Sequence, residues 1–324
     1  VPPAVPSPIL RRRRLGTELR RLREAAGLTG DQVIERIGWA SASKLSRLEN
    51  GRSRPDPDDV AVLLALYGAD AELQTDLLTI AREAGDVRGW RKSYPVMTQQ
   101  QLGWAEIEAG CAEIREYNPV LVPGLLQTPG YARLRIVSAD RAAETAGDPQ
   151  AGEGPETEVR ARLARQSLLD RVDGPRYTAV LEEAALGERA GPVEVRREQL
   201  AKLCELAMLP NVTLRLLQRT TVIGEFYLPP TAFSLYRFAD PQDPETLAIE
   251  GGFIDVMSHD ANTVNHYKVV FEWLCSAALS ATDTVSWLFE ETGRLTGTAT
   301  PSTAAHGAAA APAQRRPSGR LTER

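Results

Sequence analysis

The residues best suited to recognition chemistry crowd one stretch, GWASASKLSRLENGRSRP, from Gly38 to Pro55. Small side chains (Ser41, Ala42, Ser43, Ser46) alternate there with longer polar ones (Lys44, Arg47, Asn50, Arg52, Arg54). Short side chains let a helix enter the groove of a duplex, and Lys or Arg can then reach a guanine edge or a phosphate. The pattern suits reading by hydrogen bonds and charge rather than bond making.

Groups able to make or break bonds do not converge in the sequence. Ser258, His259 and Asp260 are consecutive; neighbours in sequence point apart, whereas a hydrolytic triad is assembled from distant segments. His259 and His266 lack the HExxH spacing of a helical zinc site, and His306 falls in a tail poor in bulky apolar residues. Glu182 and Glu183, at a strand end, read as solvated carboxylates. Cys111, Cys204 and Cys275 are odd in number and far apart, which suits buried apolar residues better than disulfides or zinc. No phosphate-binding loop, dinucleotide-binding glycine fingerprint or nucleophile elbow occurs. The expectation is a protein that is not an enzyme and needs no metal or cofactor.

Charge is distributed unevenly. Residues 1–54 hold 12 Lys+Arg against 5 Asp+Glu, and the rest hold 26 against 38, within a net charge of −5. A cationic head on an acidic body has the electrostatic footprint of a polyanion-binding domain. At 324 residues and 43% hydrophobic content, two domains plus tails are expected. No apolar run approaches the roughly 18 residues of a membrane span, and the early arginines precede LGTELRRLRE rather than a signal-peptide core, so a cytoplasmic location with no membrane partner is expected. The first residue, Val1, suits an alternative start, a trimmed end or a fragment.

The elements that would position the recognition stretch are legible. Residues 1–14, proline-rich and then RRRR, read as a flexible basic arm. Leu15, Leu19 and Leu22 share one helix face, with Gly27 closing the helix. Thr29 and Gln32 form a capping box ahead of Val33, Ile34 and Ile37, and Gly38 stops this short second helix. Ser41 caps a third helix whose inward residues are Leu45 and Leu48 and whose end is Asn50–Gly51. Asp56 and Pro57 open a fourth, and a fifth runs from Ala71 to Ala84. This is a five-helix bundle over 15–84 containing a helix-turn-helix. Lys44 and Arg47 would touch bases or phosphates, while Gln32, Ser46, Asn50, Arg52 and Arg54 hold the backbone, with double-stranded DNA as partner and a homodimer on paired half-sites.

A linker is expected over 85–97 and a disordered tail over 297–324, rich in Ala, Pro and Thr. Between them, 98–292 reads as an α+β domain. A helix is expected from Thr98 to Tyr117, followed by strand-like YTAVLEE, VTLRLLQ, TAFSLYRF and TLAIEGGFIDV interleaved with helices. The fold class is mainly α with a second α+β domain.

The run LRRLREAAGLT…IGW…SKLSRLENGRSRP resembles the Cro/repressor-like (XRE) helix-turn-helix family, which implies that residues at the positions of Ser43 to Arg47 read DNA. The spacing from Gly38 to Leu45 is one residue longer than the common pattern, and Ile34 stands where a small residue usually lets the two helices approach. VPGLLQTPGYAR, RLARQ and LEEAAL are similar to the domain of unknown function attached to such bundles in many actinobacterial regulators, so the likeness runs from about Leu15 to Thr292. It implies a developmental or antitoxin-like regulator; the likeness leaves the second domain's binding open, and a small co-encoded protein or a small-molecule effector is the expectation for it. From the residues themselves, Gln127, Tyr131, Arg162, Arg165, Gln166 and Glu183 are candidates for a polar pocket or partner surface; packing between elements is the alternative.

Overall fold

The computed structural model describes residues 8–85, 99–108, 110–146, 154–222, 224, 228–241, 243–250 and 256–297. The expected linker after Gly85, the expected tail after Gly297 and residues 1–7 of the expected arm lie outside them.

Helices α1 (Pro8–Ala25), α2 (Gly30–Ile37), α3 (Ala42–Glu49), α4 (Pro57–Tyr67) and α5 (Ala71–Gly85) form the amino-terminal bundle. Leu15, Leu19 and Leu22 meet Val33, Leu45, Leu48, Val60 and Leu63 in one core, as their helical spacing requires. The capping box closes as expected: Gln32 N donates to Thr29 Oγ1 at 3.3 Å and Thr29 N to Gln32 Oε1 at 2.9 Å. Gly38 ends α2 at φ 70°, a left-handed conformation that glycine adopts without strain.

Gly16 marks the closest approach of α1 to α3. A Cβ there would stand 2.6 Å from the Leu48 carbonyl oxygen and 2.5 Å from that of Glu49. Backbone cannot swing aside as a flexible side chain can. Gly16→Ala is therefore expected to destabilise the bundle by about 1–3 kcal/mol despite the better helix propensity of alanine, read as a lower urea midpoint.

One element departs from the sequence expectation. Residues 8–14 do not form a flexible arm: they are the first turns of α1, and Leu10 is buried in the core of the following domain. Arg14 pairs with Asp240, Arg11 with Asp240 at 3.3 Å, and Arg13 meets the His259 ring. These partners lie more than 220 residues away in sequence, which is why a run of arginines looked like a free polyelectrolyte. Part of the head's positive charge is thereby neutralised within the molecule.

The second domain is built on a six-stranded sheet in the order β3-β2-β1-β4-β5-β6, with β1 (Cys111–Asn118), β2 (Arg176–Glu182), β3 (Val212–Leu217), β4 (Ala232–Phe238), β5 (Thr246–Glu250) and β6 (Val256–Ser258). Strands β1, β2 and β3 are parallel; β4, β5 and β6 continue antiparallel from the other edge of β1. Tyr177, Ala179 and Leu181 face one core while Val180 between them faces the other, the two-residue alternation of a sheet covered on both sides. Helices α6 (Gln99–Glu108), α7 (Pro129–Ala146), α8 (Pro155–Gln166) and α9 (Val193–Leu206) precede β4; α10 (Ala261–Ala277) and α11 (Ala281–Gly297) follow β6. Helix α10 contributes Val264, Val270, Phe271 and Leu274 to the second face.

The helix expected to continue to Tyr117 ends at Glu108, and Cys111–Asn118 is instead the strand from which both halves of the sheet grow. Its ladder partners, β2 and β4, lie far along the chain, so pairing overrides a local pattern that is ambiguous between helix and strand. Cys111 and Cys204 are buried as expected; Cys275 is half-buried.

Candidate nucleic-acid interface

Helix α3 turns its leucines inward and its polar row outward. Leu45 and Leu48 are buried, while Ser41, Ala42, Ser43, Lys44, Ser46, Arg47 and Asn50 are exposed. Ser41 caps the helix, its Oγ accepting from Ser43 N at 3.2 Å. The other end is clamped by a residue that the sequence pattern did not single out. Glu49, 8% exposed, accepts from Arg23 Nε at 2.7 Å and Nη2 at 3.1 Å and from Arg20 Nε at 3.3 Å. A signal existed: an acid closing an otherwise basic, polar helix has to find cations. The hydrogen bond to Glu49 raises the Arg23 pKa against the effect of burial.

The candidate contact residues differ in how free they are. Arg47 and Arg52 are exposed and meet no carboxylate among the described residues. Lys44 pairs with Asp59 Oδ2 at 2.7 Å and lies 4.2 Å from the centre of the Trp39 ring, so it must exchange partners to reach a duplex. Asn50 donates to Ser46 O at 2.6 Å and accepts from Arg20 at 2.9 Å, a positioning arrangement. The Arg54 guanidinium packs beside Gly85 at the end of α5, and Gln32 is held in its capping box. Ile34 is half-buried and stands apart from the bundle core.

The candidates in the second domain divide into three groups. Tyr131 is buried, accepting from Val122 N at 3.1 Å and donating to Ala185 O at 3.5 Å; it packs the turn. Gln166 holds the same turn, donating to Gln127 O at 2.7 Å, and Gln199, not foreseen as a holder, accepts from Thr128 N and donates to Leu126 O, each at 2.8 Å. Glu183 stands elsewhere, accepting from Arg219 N at 3.1 Å beside another cleft.

Gln127, Arg162 and Arg165 come together on a cavity of about 480 Å³. It opens at the carboxyl end of β1 beside the start of β4, where the sheet changes from parallel to antiparallel. Such switch points are where sheets with helices on their faces leave a crevice. Arg165 donates to both carboxylate oxygens of Glu108, at 3.0 and 2.5 Å, and to Gln101 Oε1 at 2.5 Å. Arg162 Nη1 donates to Gln127 Oε1 at 2.8 Å, whereas its buried Nε meets no acceptor among the described residues. Burial, and then Arg165, lowers the Arg162 pKa. Glu116 accepts from the Tyr177 hydroxyl at 2.6 Å; burial and then the field of Glu250 push its carboxyl up to about 8.

Near the domain junction, His259 joins Thr246 Oγ1 through Nδ1 at 3.0 Å as well as meeting Arg13. Burial, then Arg13, pulls its pKa down to about 4. Among the described residues no group of three His, Cys, Asp or Glu is arranged to hold a metal ion, and no helix is long and apolar enough to cross a membrane.

Residues 14–77 match a helix-turn-helix domain, and residues 103–290 match a domain of unknown function (DUF5753). No curated protein and no solved structure matches the chain. The helix-turn-helix match falls on the bundle that exposes α3, and the larger match spans most of α6, all six strands and much of α11. The chain belongs to the DUF5753 family and carries a helix-turn-helix DNA-binding domain ahead of that domain.

Proposed function

We propose that the protein is a sequence-specific transcription regulator and not an enzyme, with α3 in the major groove and the cleft of the second domain as the site of a small effector. The observation that carries it is the division of α3: both leucines and the Glu49 carboxylate are consumed inside, leaving Ser43, Lys44, Ser46 and Arg47 on one outward surface. That is the arrangement a recognition helix needs. A homodimer would set two such helices about 34 Å apart, one turn of duplex. An effector acts on binding only through different affinities for the DNA-competent and incompetent states.

Genome-wide footprinting with the intact protein tests this, and the expected result is a recurring sequence with two-fold symmetry. Protection without any shared sequence would reject specific recognition. Arg52, just past α3, is expected to contact phosphate. Arg52→Ala should weaken binding to all duplexes alike and reduce the slope of log affinity against log salt by about one unit. An unchanged slope would remove Arg52 from the interface.

A further inference from the structure

The cleft beside β1 has two poles, and their chemistry narrows its occupant. One is Arg162, whose Nη1 is taken by Gln127 and whose Nε edge is without an acceptor among the described residues. A carboxylate can bind such an edge through parallel N–H donors. Arg165 cannot serve in its place, because Glu108 and Gln101 already use its donors.

The second pole is acidic and follows from strand register, and the charge of Glu250 also reaches Arg162. Glu116 on β1 stands opposite Ser234 of β4, and Ala232, two residues before Ser234, stands opposite Glu250 of β5. Cross-strand partners share a face, so Glu116 and Glu250 lie on the same side of the sheet, diagonally across β4, and both line the cavity. Their mutual repulsion contributes to the raised Glu116 pKa. A cation placed near the two would relieve that repulsion. Trp104 and Tyr236 add aromatic surface to the cavity wall. A purely anionic ligand would meet the carboxylates, and a purely cationic one would meet Arg162; a molecule with both charges satisfies each pole.

We propose that this cleft binds a small zwitterion of the amino-acid or dipeptide class, its carboxylate on Arg162 and its ammonium toward Glu116 and Glu250. The inference rests on the reading of the cleft as an effector site, and about 480 Å³ is ample for a ligand of that size.

Calorimetric titration of the full chain with the common L-amino acids and their glycyl dipeptides tests it. At least one should bind, and its N-acetyl and carboxamide forms should each bind about tenfold more weakly or worse. Glu116→Gln, which keeps an acceptor for Tyr177 and leaves Glu250 in place, should reduce the preference for a free amine severalfold; Arg162→Gln should abolish the preference for a free carboxylate. Thermal midpoints near that of the parent protein show that these variants fold. If a variant fails to fold, the blocked ligands alone decide the matter. Binding by none of the zwitterions overturns the proposal, as does equal binding of acetylated and free forms. The titration contains no DNA, so a protein that footprints a symmetric site yet ignores every zwitterion rejects the ligand class alone. Equal binding of acids that lack an amine rejects the class but leaves an effector cleft.

Discussion

Arg47→Ala should weaken binding to the operator recovered by footprinting by about 1–3 kcal/mol, roughly 5- to 150-fold, and leave binding to a scrambled duplex nearly unchanged. Arg47 meets no carboxylate among the described residues, so its truncation removes no internal ion pair and should not move the thermal midpoint. Lys44→Ala should cost less. Its ammonium has to give up Asp59 at 2.7 Å and the Trp39 ring before it reaches a base, and that exchange offsets much of the gain. Fluorescence anisotropy with both duplexes separates the roles. Equal losses on both would place Arg47 on phosphates, and no loss on either would remove it from the interface.

Glu49→Ala is expected to produce the largest loss of stability, about 2–4 kcal/mol. The substitution strips the Arg23 guanidinium, itself 14% exposed, of both Glu49 contacts, at 2.7 and 3.1 Å, and leaves a cation in the bundle wall held by the Leu28 carbonyl at 2.9 Å and the exposed Glu24 carboxylate at 3.5 Å. The estimate is set below that for a fully enclosed pair because Arg20 is 43% exposed and water can replace its contact. Urea denaturation followed by circular dichroism should show the lower midpoint, and operator affinity should fall with it as α3 loses its anchor. A midpoint within about 0.5 kcal/mol of the parent would mean that the leucines hold α3 without the clamp.

What could be read in advance was the local part of the fold. The capping box at Thr29, the stop at Gly38 and the leucine faces of α1 and α3 are decided by residues within a turn or two of each other, and each is found where its spacing places it. The strand at Cys111–Asn118 was not legible, because what makes it a strand is β2 and β4, supplied by residues 176–182 and 232–238. The same limit applied to the cleft. Arg162 and Gln127 could be suspected from a polar motif, but Glu108, Glu116 and Glu250 join them only through the sheet. Tyr131 and Gln166 looked like ligand groups because they are polar and close to that motif; in the folded chain, the backbone of the turn uses them.

Helix α1 also bears on how this protein can be dissected. At about 1.5 Å per residue its 18 residues make a rod some 27 Å long, seated in the bundle core through Leu15 and Leu19 and in the sheet domain's core through Leu10. Excision of the DNA reader at Leu15 would break that rod, and excision at Pro8 would bare Leu10 and strand Arg11 and Arg14 without their aspartates. Chimeras that graft this reader onto a foreign effector module will need an acidic, apolar socket for its first two turns.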